Sequence, residues 1–411
     1  MSASADGVDV AIVGGGPVGL ATAALLARTT QWRIAVLDAS AAPPAAPSDL
    51  QLDSRVFALG RAGQRILAAA GAWAMLSTEG AWPYQRMCVW DGGLPVADGA
   101  GPSGVLCFDA QDVDEPDLGH MVSGAAMSQA LRAALAEHAH VEVRQGFTLA
   151  GLDTQVEAVR LEAAEGGAVS ARLVVGADGA RSSVRALAGL EAHDASYGQR
   201  AIVCHLETER AHESTAWQRF LPGGPVALLP VTGHRCSLVW SLPDDDADAM
   251  LALDDEVFAA RLGEATGYVL GAVTRVGQRF AFPLWRLHAP AYVARRCVLV
   301  GDAAHVVHPL AGQGFNLGLL DAACLAESLS PRADPGERRG LRHYERWRKG
   351  ENVSALAALH ALHSMFALTA PPLVRLRGVG LRAVNLARPV KAKLIRRALG
   401  IDGDLPRLAR A

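Results

Sequence analysis

The sequence has little net charge, no cysteine framework and no basic residue in its first segment. Its 411 residues carry a net charge of −3 at pH 7, and we find no nucleic-acid-binding motif, so a nucleic-acid partner is not expected. The first residues, MSASADG, contain no basic side chain, and the apolar run after them is interrupted by GGGP, which is unlike a secretory signal. The six cysteines form no C-x-x-C pair, so we expect buried, reduced thiols and a cytoplasmic protein.

One segment approaches the length of a membrane span without having its composition. Residues 353–374 contain no charged side chain, but His360 and His363 lie inside the segment and Pro371 closes it. Apolar residues recur there at helical spacing, which is typical of a helix that packs against the protein or a partner. We therefore expect a packed helix rather than a span.

The next residues, 371–400, carry eight Lys or Arg and no acidic residue. Three interpretations of this basic segment stay open: an exposed solvated helix, contact with anionic headgroups at the inner face of the membrane, and contact with a protein of a quinone-biosynthesis complex.

The N-terminal part follows the pattern of a dinucleotide-binding βαβ unit. A β-branched strand from Val8 leads into Gly14-x-Gly16-x-x-Gly19 and an apolar helix, and a second strand ends at Asp38. These glycines permit a tight turn, approach of a pyrophosphate to the backbone and close helix packing, and the acid is placed to accept the hydroxyls of an adenosine ribose. The motif alone does not separate FAD from NAD.

A second motif follows a strand that leads into Gly176. It reads GADGARSSVR and centres on Asp178. Taken alone, this sequence fits a cofactor loop or an Asx-type turn that caps a helix.

A third motif, LVGDAAHVVHPLAGQGFNLGLLD, occupies residues 299–321. Asp302, His305 and His308 are spaced like metal ligands, but HExxH is missing and a zinc site has no use for the glycines that follow, so no metal is expected. A flavin would use all the parts, because Asp302 could bind a ribityl chain and the GQG triplet could bring backbone N–H groups and a helix N-terminus to the ring.

Together the three motifs resemble the single-component flavin aromatic hydroxylases of the p-hydroxybenzoate hydroxylase type. FPLWRLHAPAYV at 282–293, PVALLPVTGHRCSLVWSLP at 225–243 and SRVFALGRAGQRILAAAGAW at 54–73 are similar, more narrowly, to the ubiquinone-biosynthesis hydroxylases, and the resemblance extends over residues 9–399.

The resemblance and the strand pattern imply an α/β fold in three parts. The expected parts are a FAD-binding Rossmann-like domain (1–75, 98–188 and 286–335), an inserted mixed, mostly antiparallel β-sheet substrate domain (76–97 and 189–285), and a C-terminal helical region (336–411).

The resemblance also implies the chemistry. NAD(P)H, as a transient donor, would reduce FAD, and O2 would then give a C4a-hydroperoxide that hydroxylates a polyprenylated phenol in ubiquinone biosynthesis. The cofactor-binding positions would be Gly14, Gly16, Gly19, Asp38, Arg55, Gln129, Asp178, Gly301, Asp302, Pro309, Gly312, Gly314 and Asn316.

Other positions are suggested by residue type alone. Apolar residues of the substrate sheet are candidate substrate contacts, namely Phe220, Trp240, Phe282 and Trp285. No catalytic base stands out, and His305, His308 and Tyr197 are candidates by position only. Two alternatives stay open: hydroxylation of a soluble aromatic compound, and a non-catalytic FAD-carrying assembly protein of a quinone-synthesis complex.

Overall fold

A computed structural model describes residues 7–41, 55–76, 80–92, 96–97, 101–102, 105–368 and 370–410. The Pro/Ala-rich stretch at 41–49, expected to be a loop, lies outside this part after Ala41. In chain order, the elements up to residue 208 are β1 (Gly7–Val13), α1 (Pro17–Thr29), β2 (Ile34–Asp38), β3 (Val56–Leu59), α2 (Arg61–Ala69), β4 (Ala81–Pro83), β5 (Arg86–Asp91), β6 (Val96–Ala97), β7 (Gly101–Pro102), β8 (Leu106–Asp109), β9 (His120–Ser123), α3 (Gly124–Ala136), β10 (Val141–Gln145), β11 (Leu149–Thr154), β12 (Val159–Ala163), β13 (Ala168–Gly176), α4 (Ser183–Leu187) and β14 (His193–Thr208). The elements after residue 208 are β15 (Thr215–Leu221), β16 (Gly224–Pro230), β17 (Arg235–Pro243), α5 (Asp244–Leu251), α6 (Asp255–Thr266), β18 (Val273–Val276), β19 (Phe280–His288), β20 (Val293–Ala294), β21 (Cys297–Leu299), β22 (His305–Val306), α7 (Gln313–Ser328), α8 (Arg338–Ala367), α9 (Pro371–Leu386) and α10 (Arg388–Ala398).

The first sheet is eight-stranded and carries the nucleotide-binding unit. Its order is β10-β2-β1-β13-β12-β11, with β21 next to β13 and β20 next to β21. The strands β10, β2, β1, β13 and β21 are parallel, and the core they share with α1 and α7 is rich in Val, Leu, Ile and Ala, as expected of strands covered on both faces. The carboxyl ends of β1, β2, β13 and β21 therefore meet at one edge, where Gly14, Asp38, Asp178 and Asp302 lie.

The second sheet is nine-stranded and mostly antiparallel, in the order β22-β19-β14-β17-β16-β15-β5-β8 with β18 beside β14. Only the β15–β5 pair within the described sheet is parallel. Alternate residues of β14, β16 and β17 are buried beneath α5 and α6, so the intervening residues point to the opposite face. Since β8 and β22 come from segments assigned to the FAD-binding domain, the domain boundaries stay a prediction.

The C-terminal helices cover one end of this sheet. Within α8, Leu359, Leu362 and Phe366 pack with Phe220 and Leu310 in a shared apolar cluster, which confirms the expectation of a packed helix at 353–367. Across the described residues, none of the helices combines the length and apolar character needed to cross a bilayer.

Two of the six cysteines are not reduced thiols. Cys88 and Cys107 stand opposite each other on the antiparallel strands β5 and β8 and form a disulfide. The expectation was wrong for this pair because a strand register, rather than a sequence spacing, brings the two together. The other four, Cys204, Cys236, Cys297 and Cys324, are buried free thiols.

Candidate active site

A cavity of about 750 Å³ extends from the carboxyl edge of the first sheet to the inner face of the second. Its lining includes Gly14, Asp38 and Asp302 at one end and Ala227 and Val239 at the other. Open α/β sheets bind ligands at this edge. The two sheets therefore form the opposite walls of one cavity.

The N-terminus of α1 faces open space at one end of this cavity. Gly14 has φ +112°, and a side chain there would overlap the backbone of Ala177, so the tight turn requires glycine. A Cβ on Gly16 would meet nothing within 4 Å, and no side chain caps the helix. A Cβ on Gly19 would instead collide with Gly14, as close helix packing requires. Uncapped N–H groups in front of empty space fit a pyrophosphate.

Asp38, at the end of β2, is held by a residue that the sequence analysis missed. Nη2 of Arg132, on α3, lies 3.2 Å from Oδ2 of Asp38, and the Ser40 N–H donates to the other oxygen at 3.1 Å. Gln129, assigned to the cofactor by resemblance, is exposed on α3 and does not line the cavity. The residue of α3 that reaches the site is therefore Arg132, and no sequence motif predicts this contact.

The Asp178 carboxylate is committed to its own turn. It accepts from the Ser182 hydroxyl at 2.5 Å and from the Val184 N–H in the first turn of α4 at 3.1 Å, while Ser182 is the N-cap residue of that helix. The guanidinium of Arg185 then donates to the carbonyls of Ala303 and Ala180, each at 2.8 Å. The carboxylate of Asp178 thus makes the contacts that an Asx-type turn before a helix predicts. Asp178 is nevertheless one of the residues that line the cavity.

Asp302 faces the cavity with a free carboxylate. It lines the cavity and is accessible there, and no described side chain donates a hydrogen bond to it. Burial by the surrounding protein raises its pKa, nearby Asp321 raises it further, and His305 opposes both. An acceptor without a protein partner at a cavity wall suits the hydroxyl groups of a ribityl chain.

A second helix N-terminus, that of α7, also faces the cavity. Gly312 has φ +61° and has no side-chain cap bond to the helix, and Pro309 and Gly314 line the cavity beside it. Asn316 does not line it, and its assignment to the ring stays a prediction. Its Oδ1 accepts from Gly60 N at 2.9 Å and its Nδ2 donates to Ala58 O at 2.8 Å, so its amide joins α7 to the end of β3 and to the residue that follows this strand.

His305 is part of a buried polar network and does not line the cavity. Its Nε2 lies 2.6 Å from Oδ2 of Asp321, a residue with no exposed surface. Arg348 Nε donates to the other Asp321 oxygen at 2.7 Å, and Asn352 Nδ2 donates to it at 3.1 Å. Burial works against the Asp321 charge, but His305 and Arg348 overcome it and hold the pKa well below its ordinary value.

This network also positions the 301–302 turn. Gly301, which is not itself in the cavity lining, donates its N–H to Asp321 Oδ2 at 3.0 Å. The position of Asp302 in the cavity thus depends on a carboxylate that the sequence analysis did not single out. Its only sequence signal was an acid within an apolar helix.

His308, by contrast, lies in the cavity wall. It is 1% exposed, and neither ring nitrogen has a hydrogen-bond partner among the described residues. Its ring contacts those of Tyr197 and His363, with centroids 4.9 and 4.6 Å away. Burial lowers its pKa to about 3, and His363 and His360 lower it in the same direction, so the ring is neutral at neutral pH. His305 is committed to Asp321, so of these two histidines only His308 lines the cavity.

The four aromatic substrate candidates separate by strand alternation. Phe282 lines the cavity and is 43% exposed. Trp240 is 5% exposed and packs in the core under α5 and α6, because Val239 and Ser241 occupy the cavity face of β17. Trp285 does not line the cavity for the same reason, since its neighbour Leu284 does. Phe220 is on the same face of β15 as Gln218, which lines the cavity, but it lies beyond the lining, in the cluster with Phe366.

The Asp302, His305 and His308 side chains do not converge. The first faces the cavity, the second binds Asp321 and the third packs on Tyr197. Within the described part of the chain, no group of three His, Cys, Asp or Glu side chains is arranged to hold a metal ion.

Comparison with known proteins agrees with this geometry. A family model described as "FAD binding domain" matches residues 7–355. The chain belongs to this FAD-binding family. Its cofactor is therefore FAD, which the glycine motif alone could not separate from NAD.

Full-length relatives narrow the family to hydroxylases and monooxygenases. The chain is 38% identical to ubiquinone hydroxylase UbiL of Rhodospirillum rubrum over 100% of this chain and 94% of the relative. It is 34% identical to 3-demethoxyubiquinol 3-hydroxylase of Escherichia coli over 96% and 98% of the two chains. The crystal structure of p-nitrophenol 4-monooxygenase PnpA from Pseudomonas putida shares the fold, with a TM-score of 0.75, 18% identity and coverage of 96% and 98%. The chain thus belongs to the FAD-dependent monooxygenases that include the ubiquinone hydroxylases.

Proposed function

We propose that this protein hydroxylates the aromatic ring of a neutral polyprenylated phenol, a precursor of ubiquinone. The names of its relatives support a quinone precursor as the substrate. One observation on the cavity favours a neutral ring over an aromatic acid. Among the described lining residues, the charged side chains are Arg55, Arg181, Asp38, Asp178 and Asp302. None belongs to the second sheet, whose described cavity face has Ala, Val, Leu, Met, Pro, Phe, Ser and Gln only.

This uncharged wall favours a neutral ring over an aromatic acid. Moving a carboxylate from water to an uncharged wall costs several kcal/mol unless a cation pairs with it. The hydroxyls of Ser237 and Ser241 and the amide of Gln218 supply polar contacts of the kind that a phenol needs. A soluble aromatic acid would leave its charge unpaired here.

The residues assigned to the cofactor form the other end of the cavity. FAD supplies the redox and oxygen-activating chemistry, with NAD(P)H as electron donor and O2 as second substrate. We assign the pyrophosphate to the N-terminus of α1 at Gly16, the ribose to Asp38 held by Arg132, and the ribityl chain to Asp302. Pro309, Gly312 and Gly314 would adjoin the flavin ring, and the apolar wall opposite would exclude water from it.

The test is turnover with two matched rings. The purified FAD-loaded protein, supplied with NAD(P)H or a flavin reductase, receives either a phenol with one isoprene unit or the corresponding hydroxybenzoate, and oxygen insertion is followed by mass spectrometry. We expect hydroxylation of the prenylated phenol and not of the acid. The reverse preference would assign the protein to soluble aromatic acids, and FAD binding without turnover of either ring would favour the assembly-protein alternative.

We also propose that α9 and α10 lie on an anionic membrane surface. Leu376, Val379 and Leu386 are 66%, 63% and 83% exposed on α9, and Val390 and Leu394 continue the exposed apolar face on α10. A helix whose outer face is apolar and flanked by basic residues is typical of the membrane interface. Three basic residues of the segment form ion pairs with acidic residues of the same chain, namely Arg377, Lys391 and Arg397. The other five are exposed beside the apolar face, namely Arg375, Arg382, Arg388, Lys393 and Arg396.

Vesicle flotation tests this surface. The full chain should float with vesicles containing phosphatidylglycerol and not with pure phosphatidylcholine, and added salt should weaken binding. The double change Leu376→Ser and Val379→Ser should abolish flotation, whereas Val257→Ser, an exposed valine on α6, should not. Equal flotation of both variants would overturn the proposal, as would a wild-type chain that binds another protein and no vesicle.

A further inference from the structure

A second, very small cavity lies directly beside the main one. Its volume is about 10 Å³, and it shares Pro225 and Leu310 with the main cavity lining. Its remaining lining residues come from the adjoining ends of β15 and β16, from Gln199 of β14 and from the end of α8. A space of this size holds at most a single water molecule. The small cavity is thus a narrow point between the main cavity and the C-terminal helices.

Two stacked phenylalanines close this narrow point. The rings of Phe220 and Phe366 are 3.8 Å apart between centroids and inclined by 15°. Both are buried, at 5% and 6% exposure, in the cluster that contains Leu310. Met365 and Leu368, on either side of Phe366 in the chain, are 42% and 51% exposed. The path from the cavity wall to the protein surface therefore crosses a single aromatic layer.

The outer side of this layer is the apolar face proposed to contact the membrane. Leu368 leads into α9, where Leu373 and Leu376 are 38% and 66% exposed. An apolar molecule leaving the main cavity past Phe366 would thus meet an apolar surface.

The size of the main cavity favours an exit for a substrate with a long tail. A volume of about 750 Å³ lies within the range of about 300–1,000 Å³ that single ligand sites occupy. Both the cofactor end and the substrate wall belong to that one volume, so the cofactor and the ring share it. A long isoprenoid tail adds to the volume that these two must occupy, and leaving it in water costs about 0.8 kcal/mol per methylene.

We propose that Phe220 and Phe366 form a gate through which the isoprenoid tail of the substrate leaves the cavity toward the apolar face of α9. This inference rests on the proposed function, because it needs a substrate with such a tail. With the gate open, the ring reaches the cofactor end while the tail stays at the lipid surface.

Arg377 connects the gate to α9. Its Nη1 donates to the carbonyls of Met365 and Leu368 at 2.6 and 2.7 Å, and its Nε donates to Asp91 at 2.8 Å. The guanidinium also lies over the Phe366 ring, 5.2 Å from the centroid. A shift of α9 on a membrane would therefore move the end of α8 that carries Phe366.

The test compares two substrates with the same ring, one with a single isoprene unit and one with six or more. Phe366→Trp should lower kcat/KM for the long-tailed substrate by about tenfold, a change in activation free energy of about 1.4 kcal/mol. The same variant should leave kcat/KM for the short-tailed substrate within about twofold, because the ring site is untouched. Phe220→Trp tests the gate from its other side and should give the same selective loss.

Phe258, a buried phenylalanine on the other face of the second sheet, supplies the control. Phe258→Leu should not change the ratio of kcat/KM for the two tail lengths. Both tryptophan variants are compared with FAD bound. If they lower kcat/KM equally for the two substrates, or leave both values unchanged, the proposed gate is wrong while the proposed function stands. If the wild type hydroxylates neither substrate, the proposed function itself fails.

Discussion

His305 Nε2 and Asp321 Oδ2 are 2.6 Å apart in a fully buried environment, and this pair positions the turn that presents Asp302 to the cavity. Asp321 also binds the Gly301 N–H and the Arg348 guanidinium. The arrangement spans three segments that are remote in sequence. It therefore links α8, the first helix of the C-terminal region, to the cofactor end of the cavity.

Replacing Asp321 should destabilise the protein strongly. Asp321→Asn leaves the Arg348 charge buried without its partner, which typically costs about 3–5 kcal/mol. Glu162→Gln, which breaks the exposed pair with Arg160, should cost less than about 1 kcal/mol. Urea unfolding of the FAD-loaded proteins measures both. Similar losses for the two variants would show that the network contributes no more than a surface pair.

Replacing Asp302 should weaken FAD binding without unfolding the protein. Asp302→Ala removes an acceptor that we assign to the ribityl hydroxyls, and charged hydrogen bonds contribute about 1.5–3 kcal/mol, so we expect the Kd to rise about 10- to 100-fold. Gln129→Ala, at an exposed position outside the cavity, should leave the Kd unchanged. Titration of flavin fluorescence against apoprotein gives both values. Equal effects of the two substitutions would contradict the assignment of Asp302.

Phe282 and Trp240 should affect different properties, although both are aromatic residues of the same sheet. Phe282→Ala should raise the KM for the prenylated phenol several-fold and leave the melting temperature nearly unchanged, because the side chain is 43% exposed in the cavity. Trp240→Ala should cost about 3–5 kcal/mol of stability, because it empties a packed core position. Steady-state kinetics and thermal unfolding separate the two. A larger stability loss for Phe282→Ala would contradict the alternation.

The stability of the protein should fall on mild acidification, in part through His308. Its pKa is lowered from 6.5 to about 3 by burial and by the neighbouring histidines. Between these values the unfolded chain binds a proton that the folded chain does not, so stability decreases as the pH falls. The expected slope is about 1.4 kcal/mol per pH unit for this one group.

His308→Phe removes this titration and keeps a ring against Tyr197. Urea unfolding at pH 7, 6 and 5 with saturating FAD should therefore show a shallower pH dependence in the variant. His120, His212, His288 and His363 also have lowered pKa values, so a residual slope is expected in both proteins. Identical slopes would mean that His308 is protonated in the folded state.

The parts of the site that the sequence predicted are those built by short stretches of chain. Gly14, Gly16 and Asp38 belong to one βαβ unit, whose turns and strand ends follow from local geometry. Asp302 could be placed in the same way, because it follows directly after β21. The positions of these residues could be predicted without knowing which distant segments pack against them.

The parts that were missed depend on contacts between distant segments. Arg132 meets Asp38 from another helix, and Arg348 meets Asp321 across 27 positions of the chain. The Cys88–Cys107 disulfide likewise follows from the register of β5 and β8. The misplacement of Trp240 was avoidable, because counting alternate residues along β17 assigns it to the face opposite Val239 and Ser241.

The alternation of β14, β16 and β17 gives the second sheet two independent surfaces. Positions on one side pack against α5 and α6, while residues between them, such as Ala227 and Val239, line the cavity. A substrate with a different ring shape can therefore be accommodated by exchanging cavity-side residues such as Ala227 or Val239. The packing of the opposite face against α5 and α6 need not change. One scaffold of this kind can serve diverging enzymes, since selection for a different substrate and selection for a stable protein act on separate residues.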